Sequence, residues 1–551
     1  MSFSRFRKQC EEIAREQKNL IEVPKNKQAD LCIPCFSLGK DPVKIAQDLS
    51  SKMRYRLTKN TLVKNIENTG PYINFYIDEE KFSDSVLQDI IRENDNYGKG
   101  DKKEKIILEH TSMNPTGPVH VGRLRNSLIG DSLKRILEFF GHNIETHYYV
   151  DNMGKQVAII AWGGKTKNYD DLARKYNKYK DKPDFKTMFR YVSSYYDATS
   201  SKENMTEVEE LLRKAEQGDK DSMGRLRKTA QTCLDGQKAS LERLGIEYDF
   251  FDFESKFIED GSVKKILSDL EKKKLLKKQG DAVGVDLSSY GLKREKGLTI
   301  LARSNGTSVY LLRDVAYHLE KLKKGRRIIN VLGEDHKIEF QELKKIIELL
   351  NGSKNMEAVH YAFVNFKGMS LSTRKGETAP LDALIDEGIE KLKEKTDDKK
   401  LAESIATGAI KYHILKTDLQ KQITFIWEDA INFDGNTGPY LQYSYVRAKS
   451  IMRKSKMKEK FKVLDMNKSD HELVKKISLF PEIVEKGAEE MRPSIIANYI
   501  YDLASQFNTY YHEEKIIGTD NEGAKLAVVK AFSIVMKNGM HLLGIDTPER
   551  M

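Results

Sequence analysis

Apolar residues recur at every third or fourth position between Val121 and Phe140, and this spacing predicts an amphipathic helix that ends at Gly141. The β-branched run KIILEH before the helix and the run NIETHYYV after it are typical of strands. Strand, loop, helix and strand form a βαβ unit, which implies a parallel sheet. Ligands of such a sheet bind beyond the carboxyl ends of its strands.

The same pattern returns later in the chain. RRIINVLGEDH at 326–336 predicts a strand, KIEFQELKKIIELL a helix and AVHYAFVNF another strand. These elements are interpreted as the second half of a nucleotide-binding sheet. The lysine-rich, helix-patterned residues from about 155 to 250 are interpreted as an insertion between the two halves.

The flanking regions have different patterns. Residues 1–100 mix helical spacing with a strand-like GPYINFYI, and the residues after about 395 are helical almost to the end. We therefore predict an α/β protein with a Rossmann-like parallel-sheet catalytic core at 101–395, an N-terminal α+β module at 1–100 and a C-terminal all-α helical bundle at 396–551. A length of 551 residues agrees with three or four domains.

Composition narrows the class of protein. Lys and Arg number 94 against 83 Asp and Glu, giving a net charge of +11, which favours a polyanionic partner such as nucleic acid. No apolar run reaches the 18 or so residues of a membrane span, and the charged N-terminus does not resemble a signal peptide. With only four cysteines, the chain is expected to be a cytoplasmic protein without membrane association.

Two of the cysteines, Cys32 and Cys35, form a C-x-x-C sequence. A tetrahedral zinc site would need a second pair, and neither Cys10 nor Cys233 belongs to one. A metal or redox role therefore stays the minor alternative to two small buried residues. No metal site is predicted.

The strongest candidate for chemistry is the start of the first predicted helix, where His120, Gly122 and Arg123 follow a loop. The first turn of a helix presents free N–H groups and the positive end of its dipole, which suits a triphosphate. A second basic loop, MSLSTRKG at 369–376, contains Arg374 and Lys375, which could hold a polyphosphate. Taken alone, the first motif could equally be a capping histidine beside a packing glycine, and the second a surface loop.

Together the motifs resemble class I aminoacyl-tRNA synthetases, and within that class the arginyl-tRNA synthetase family. NPTGPVHVGRLRNSLIGDSLKRIL at 114–137 is similar to its long first signature, and MSLSTRKG to its second. DGNTGPYLQYSYVRAKSI at 434–451 and the terminal TPERM are similar to its C-terminal signatures. The resemblance implies ATP-dependent activation of L-arginine, with Mg²⁺ accompanying the ATP, followed by transfer to the 3′ end of tRNA(Arg). It implies no tightly bound cofactor, and a monomer is expected.

The resemblance also assigns roles to individual residues. The catalytic residues would be His120, Arg123, Arg374 and Lys375. The ATP-binding residues would be His120, Gly122, Arg123, Gly333, His336, Ser372 and Lys375. Arginine would be bound by Glu109 and Asn114 at its amino and carboxylate end and by Tyr310, Asp314 and Asp335 at its side chain. The tRNA would contact Tyr72 and Asn74 in the N-terminal module and Tyr443 and Arg447, with Tyr445 and Lys449, in the helical bundle.

An arginine pocket is plausible on chemical grounds, because a guanidinium is bound best by carboxylates and by an aromatic face. A spacing of four places Tyr310 and Asp314 on one helical face. The alternatives are a surface salt bridge of Asp314 with Arg313 or Lys321 and a partly buried core ring for Tyr310. For Tyr72 the alternative is an exposed aromatic residue on a strand.

The chain departs from the family pattern at two places. Arg123 stands where the family has a second histidine, and we predict that its guanidinium donates to the nucleotide instead. In the second motif, Ser370 and Leu371 occupy the positions of the expected Lys and Met. These two departures keep open the alternative of a tRNA-binding protein without catalysis. A class I synthetase for another amino acid is the second alternative, and charge in the amino-acid pocket would distinguish it.

Overall fold

The protein is described here from a computed structural model, which covers residues 2–24, 29–163, 167–292, 294, 297–303, 307–366, 379–455 and 466–551. Its N-terminal part is an antiparallel sheet packed against helices. The elements are α1 (Ser2–Ala14), β1 (Leu31–Pro34), α2 (Pro42–Arg54), β2 (Val63–Thr69), β3 (Tyr72–Ile77) and α3 (Glu79–Glu93), with 3-10 helices at Arg15–Leu20 and Asn94–Asn96. The predicted strand GPYINFYI is β3, the central strand of the order β1-β3-β2.

The middle of the chain contains a five-stranded parallel sheet and the helices around it. Its first elements are β4 (Lys105–Glu109), α4 (Val121–Phe139), β5 (Asn143–Val150), α5 (Lys155–Trp162), α6 (Lys167–Lys175), α7 (Pro183–Ser200), α8 (Lys202–Glu216), α9 (Lys220–Glu242) and β6 (Phe250–Phe253). They are followed by α10 (Lys256–Glu259), α11 (Ser262–Lys272), β7 (Leu276–Gln279), β8 (Ala282–Val285), β9 (Thr299–Ala302), α12 (Tyr310–Lys323), β10 (Arg327–Gly333), α13 (Lys337–Asn351), β11 (Met356–Tyr361) and β12 (Val364–Phe366). Short 3-10 helices lie at Asn177–Tyr179, Ser288–Tyr290 and Glu334–His336.

The sheet has the strand order β11-β10-β4-β5-β6, and every neighbouring pair is parallel. This confirms the predicted α/β fold with a Rossmann-like sheet. Glu109, the last residue of β4, lies between Asn330 of β10 and His147 of β5 in the strand register. The carboxyl ends of β4 and its two neighbours therefore meet at one edge, where ligands of such a sheet bind.

Side chains alternate between the two faces of the sheet, because successive residues of a strand point to opposite sides. Ile106 and Leu108 pack with α4 in the larger core, whereas Ile107, Tyr149 and Ile328 pack with α12 and α13 in a second core. The face that carries Ile107 also carries Glu109, two residues further along β4. That acid is therefore on the α12 side of the sheet.

Two features of the central region differ from the sequence-based expectation. AVHYAFVNF is not one strand, because β11 belongs to the parallel sheet whereas β12 pairs with a strand further along the chain. Residues 276–302 contain a separate antiparallel sheet, β7-β8-β9, which the hydrophobic pattern did not predict. Helices α5 to α9 separate β5 from β6, in agreement with the helical pattern of residues 155–250.

The remaining described residues are almost entirely helical. They form α14 (Leu381–Lys391), α15 (Lys399–Leu415), β13 (Ile423–Phe425), α16 (Trp427–Ala430), α17 (Gly438–Lys454), α18 (Lys468–Ser478), α19 (Phe480–Glu489), α20 (Pro493–Glu513) and α21 (Glu522–Leu542). The short strand β13 is the exception, and it pairs in parallel with β12. No helix within the described ranges combines the length and the apolar character needed to cross a bilayer.

Arg125, on the buried side of α4, links this helix to the later part of the chain. Its side chain is 1% exposed, and it donates to the carbonyl oxygens of Ala362 at 2.5 Å, Lys421 at 2.8 Å and Asp418 at 2.9 Å. The three acceptors are neutral carbonyls, and Asp418 in turn forms an ion pair with Arg492. Helix α4 is thus held to the segment between α15 and β13.

Candidate active site

A cleft of about 300 Å³ lies beyond the carboxyl end of the parallel sheet. It is lined by residues of the loop after β4, the first turn of α4 and the turn after β10, together with two glutamines. These residues are Ser112, Met113, Asn114, Thr116, Gly117, Pro118, His120, Arg123, Gln156, Gln237 and His336. The fold therefore brings together, from distant sequence positions, four of the predicted ATP-binding and arginine-binding residues: Asn114, His120, Arg123 and His336.

His120 is the residue that precedes α4, and its side chain does not cap the helix. The backbone on either side of it pairs with the segment that follows the second motif: Val121 N donates to Ala379 O at 3.0 Å, and Leu381 N donates to Val119 O at 2.7 Å. The chain just after the basic loop thus lies against the first motif. The predicted residues Ser372, Arg374 and Lys375 themselves lie outside the described residues.

The ring of His120 is half-buried, and its surroundings oppose protonation. Burial and the nearby cation Arg123 lower the pKa of His120 to about 4. The imidazole is therefore neutral at physiological pH and offers one N–H donor and one acceptor nitrogen. A neutral donor of this kind can stabilise charge that develops on a phosphate oxygen.

Arg123 lies in the first turn of α4, next to the half-buried Gly122. It is hydrogen-bonded to the hydroxyl of Tyr361, as is Asn126, and burial is the main cause of the raised pKa of this phenol. The guanidinium thus has a fixed partner at the end of β11 and still lines the cleft. The other N–H groups of the guanidinium could donate to a ligand in the cleft.

The loop between β4 and α4 has a strained backbone, which sequence analysis did not anticipate. Thr111 and Ser112 have φ angles of +73° and +40°, and such values are rare for residues with a side chain. Asn126 Oδ1 accepts the backbone N–H of Thr111 at 2.5 Å, and Tyr248 donates to the Thr111 hydroxyl. Strain of this kind costs on the order of 1–3 kcal/mol per residue and is typical of functional sites.

Glu109 is bound by protein groups on the α12 side of the sheet. Its Oε2 atom lies 2.5 Å from Lys321 Nζ and accepts a hydrogen bond from Asn330 Nδ2 at 2.9 Å. Burial alone would raise the pKa of Glu109, but Lys321 and His318 outweigh it and lower this pKa. Asn114, the other residue predicted at the amino end of arginine, is exposed and donates to Gln156 Oε1 at 3.2 Å.

Tyr310 and Asp314 occupy the first two turns of α12, on one face as the spacing predicted. Tyr310 is 52% exposed. Burial, together with Glu109 and Glu254, raises the pKa of Asp314 to about 8. The alternative of a surface salt bridge is not observed, because Lys321 is paired with Glu109 and Arg313 with Glu254 at 2.6 Å.

The 3-10 turn after β10 carries Asp335 and His336, and Asp335 Oδ2 lies 3.6 Å from His336 Nε2. Gly333 begins this turn, and a Cβ atom added to it would lie 2.4 Å from Asp335 Oδ1. The glycine is therefore needed for the position of the Asp335 carboxylate. His336 faces the same cleft as Arg123, whereas the side chain of Asp335 is about half exposed at 46%.

The residues predicted to contact tRNA are separated by the fold. Tyr72 is exposed and its ring packs edge-on against Phe36 at 5.5 Å, but Asn74 is buried and donates to Thr69 Oγ1 at 3.1 Å. In the C-terminal region, the guanidinium of Arg447 lies between the rings of Tyr443, at 4.9 Å, and Tyr511, at 4.7 Å.

Tyr443, Arg447 and Tyr511 line a separate cleft of about 570 Å³, which Met551 also borders. Tyr445 is only 3% exposed and does not face this cleft, and Lys449 pairs with Glu549 at 3.8 Å.

Cys32 and Cys35 are buried, as expected for two small residues of the core. All four cysteines are buried free thiols, and burial raises the pKa of Cys32 to about 11.

Comparison with known proteins matches most of this chain to family descriptions. Family descriptions match in three consecutive blocks: "Arginyl tRNA synthetase N terminal domain" at residues 4–77, "tRNA synthetases class I (R), catalytic domain" at 86–427 and "DALR anticodon binding domain" at 441–551. The matched catalytic region therefore extends past the predicted boundary at 395 and includes β13.

Curated relatives match over nearly the whole chain. The arginine–tRNA ligase of Methanocaldococcus jannaschii is 37% identical over 94% of this chain and 93% of its own length, and that of Methanothermobacter thermautotrophicus is 37% identical over 93% and 91%. Among solved structures, the arginyl-tRNA synthetase of Thermus thermophilus has a TM-score of 0.79 at 26% identity, covering 99% of this chain and 100% of that one. The chain belongs to the arginyl-tRNA synthetase family.

Proposed function

We propose that the cleft beyond β4 and β10 binds ATP with its Mg²⁺ and that arginine lies beside it, with its side chain on the α12 side of the sheet. Arginine–tRNA ligation, which depends on ATP, is the activity of the family. The observation that carries the site assignment is the position of the neutral His120 at the start of α4, against the backbone of the segment that follows the basic motif.

In this arrangement, the carboxylate of arginine attacks the α-phosphate of ATP in line, and pyrophosphate leaves. His120 donates its N–H to an oxygen of the five-coordinate phosphate, and Arg123 adds a fixed positive charge next to it. The catalytic contribution of the protein is thus positioning and charge stabilisation. The terminal adenosine of tRNA then takes the arginyl group through a hydroxyl of its ribose.

Recognition of the nucleotide would use residues from both halves of the sheet. Gly122 adds no side chain to the first turn of α4, so a phosphate or a base could approach the backbone there, and Gly333 begins the turn that presents His336. Magnesium belongs to this site as part of the ATP substrate complex. Mg²⁺ prefers oxygen ligands and retains several waters, so phosphate oxygens and water would provide its ligands there.

For tRNA, we propose that Arg447 and its two flanking tyrosines contact the anticodon loop and that Tyr72 contacts an unpaired base from the N-terminal module. Stacked aromatic and guanidinium planes are the usual surfaces for unstacked bases. The division into a module at 1–100, a catalytic region at 101–395 with the insertion and a helical domain at 396–551, a monomeric state and a cytoplasmic location belong to the same proposal.

Arginine-dependent exchange of pyrophosphate into ATP tests the activity directly. We expect exchange when purified protein is supplied with arginine, Mg²⁺-ATP and tRNA, and no comparable exchange when lysine or methionine replaces arginine. Omitting the tRNA measures whether activation depends on it. If arginine supports no exchange either with or without tRNA, the protein would be a tRNA-binding protein without catalysis. Exchange with another amino acid would indicate a synthetase of different specificity.

Replacing Arg123 with alanine is expected to raise the KM for ATP about tenfold, because a charge-assisted hydrogen bond contributes about 1.5 kcal/mol or more. Arg123→His, which restores the residue typical of the family, should retain most of the ATP affinity. Lys134→Ala, in the middle of the same helix and outside the lining of the cleft, is the control. An unchanged KM for ATP in Arg123→Ala would exclude contact between this side chain and the nucleotide.

A further inference from the structure

Acidic side chains converge on the α12 side of the sheet, where the chain leaves three neighbouring strands. Glu109 ends β4, Asp151 follows β5 and Glu254 follows β6. Alternation along the strands places all three on the face of Ile107 and Tyr149, which packs against α12. Asp314 of α12 completes the group from the other side.

Two of these carboxylates form ion pairs with basic side chains of the protein. Glu109 lies 2.5 Å from Lys321 Nζ, and Glu254, which is fully buried, lies 2.6 Å from Arg313 Nε. Among the described residues, no cation lies within 4 Å of a carboxylate oxygen of Asp151 or Asp314. Arg313 also lies 3.6 Å from Glu216, so neither Lys321 nor Arg313 is left over for the two aspartates.

Asp151 is close to the residues proposed to bind the side chain of arginine. Gly154 lies between the two groups. A Cβ atom added to Gly154 would be 3.2 Å from both carboxylate oxygens of Asp151 and 3.2 Å from the hydroxyl oxygen of Tyr310. Because both groups are this near to one position, their oxygens are at most 6.4 Å apart, which a guanidinium and its hydrogen bonds can span.

Unpartnered polar atoms mark the same place. The hydroxyl of Tyr149 is buried and has no hydrogen-bond partner in the described part of the chain, and Asp151 Oδ1 is buried without an N–H donor there. The hydrogen bond of the Asp151 carboxyl is shared with Glu254, another acid, so a cation is still missing between them. Tyr149 as a whole is 9% exposed, and the carboxylates of Glu254, Asp314 and Asp151 are its acidic neighbours. Buried acceptors without partners cost free energy unless a ligand satisfies them. A cationic, planar donor group fits this combination.

We propose that Asp151 is a further specificity-determining residue, which binds the guanidinium of arginine together with Asp314 and the hydroxyl of Tyr310. This inference rests on the proposed assignment of Tyr310 and Asp314 to the arginine side chain. Five donor hydrogens in a plane allow one guanidinium to be bound by two carboxylates from different directions. Glu254 has a different role, because its ion pair holds Arg313 and thereby positions the first turn of α12.

The charge state of the empty pocket agrees with this role. Burial, Glu254 and Asp314 raise the pKa of Asp151 well above its usual range, as burial and the neighbouring acids do for Asp314. The charged and titratable groups that face Asp151 are Tyr149 beside it on β5, Glu254 after β6, and Tyr310, Arg313 and Asp314 on α12. Binding of a cation between the two aspartates displaces their protons, because the cation favours the carboxylate form.

The test is Asp151→Asn in the full-length enzyme, assayed by arginine-dependent ATP–pyrophosphate exchange with tRNA present. We expect the KM for arginine to rise about tenfold or more, with the KM for ATP changed less than about twofold. Citrulline, which is shaped like arginine but carries no charge, is the probe for recognition of charge. In wild type, the inhibition constant of citrulline should be much higher than the KM for arginine. In Asp151→Asn, the ratio of these two constants should fall by a factor similar to the rise in KM.

The pH dependence separates a ligand-binding carboxylate from a structural one. As the pH falls below the pKa of a carboxyl that must release its proton, the KM for arginine should rise. The KM for arginine should therefore depend more steeply on pH in the wild-type enzyme. Asp151→Asn should release one proton fewer when it binds arginine. Glu390→Gln on α14, an exposed acid that pairs with Lys393 at 2.5 Å, is the matched control and should behave as wild type.

Two results would overturn the inference: an arginine KM in Asp151→Asn within about twofold of wild type, or equal increases in the KM for arginine and for ATP. If Asp151→Asn does not accumulate as folded protein, Asp151→Ser fits the same space and is measured in its place. A wild-type enzyme without arginine-dependent exchange would instead refute the proposed site. Loss of arginine binding in Asp314→Asn alone would refute only the role of Asp151.

Discussion

Replacing His120 with alanine is expected to lower the kcat of arginine-dependent pyrophosphate exchange by about 10²–10³-fold while changing the KM for ATP and for arginine only slightly. Removal of one donor that stabilises transition-state charge has an effect of this size in other enzymes. Ground-state affinity should change little, because the imidazole donates most strongly to charge that develops at the α-phosphate. Single-turnover formation of the adenylate is the measurement that isolates this step.

His120→Asn supplies an N–H donor at a similar position and should recover part of the lost rate. His541→Ala, in the last turn of α21, is the control for loss of a histidine elsewhere. Because burial and Arg123 lower the pKa of His120 to about 4, activity that depends on the neutral ring should persist on acidification to about pH 5. A decline of kcat with a midpoint near pH 6.5 that disappears in His120→Asn would contradict the neutral-donor role.

Replacing Asp314 with asparagine is expected to raise the KM for arginine by about 30- to 150-fold. A buried charge-assisted hydrogen bond to a guanidinium contributes about 2–3 kcal/mol, and each 1.4 kcal/mol corresponds to a factor of ten. The KM for ATP should stay within about twofold, since the carboxylate is on the α12 side of the sheet. Glu320→Gln, on the same helix and paired with Lys256 at 2.5 Å, is the matched control.

Stability distinguishes this effect from damage to the fold. The pKa of Asp314 in the folded protein is about 8, far above its ordinary value, so this group binds more protons in the folded than in the unfolded state. Its contribution to the free energy of unfolding is favourable at low pH and is lost as the pH rises from about 4 to 8. Asp314→Asn should therefore not lower the melting temperature at pH 7, and a large fall would show that the KM effect is structural.

The sequence supports the sheet and its order of elements because their signals are local. The helical spacing after Val121, the apolar runs around it and each strand or helix pattern after Arg326 occupy fewer than 25 residues. The antiparallel strands of 276–302 were missed because they are four residues long and the first of them contains two lysines. Strand β13 was missed for the same reason, since three residues carry no detectable period.

The site was predictable only where a motif or a strand end marked it. Acids at strand ends indicated Glu109 and Asp335, and the same rule applied to the strand NIETHYYV would have indicated Asp151. The partner of Glu109 could not be predicted, because Lys321 is 212 residues away and no local pattern connects the two. The positive φ angles of Thr111 and Ser112 were equally invisible, because neither residue type signals such a backbone.

Arg125 connects helix α4, next to the proposed ATP site, with the C-terminal helical region. One guanidinium holds the nucleotide-side helix to the peptide that enters the helical region, and Asp418 of that peptide is anchored in turn by Arg492 at the start of α20. A displacement of the helical region on binding tRNA would therefore reach α4 through Arg125, and His120 is the residue before that helix. Binding of the polynucleotide and alignment of the reacting groups would then be coupled.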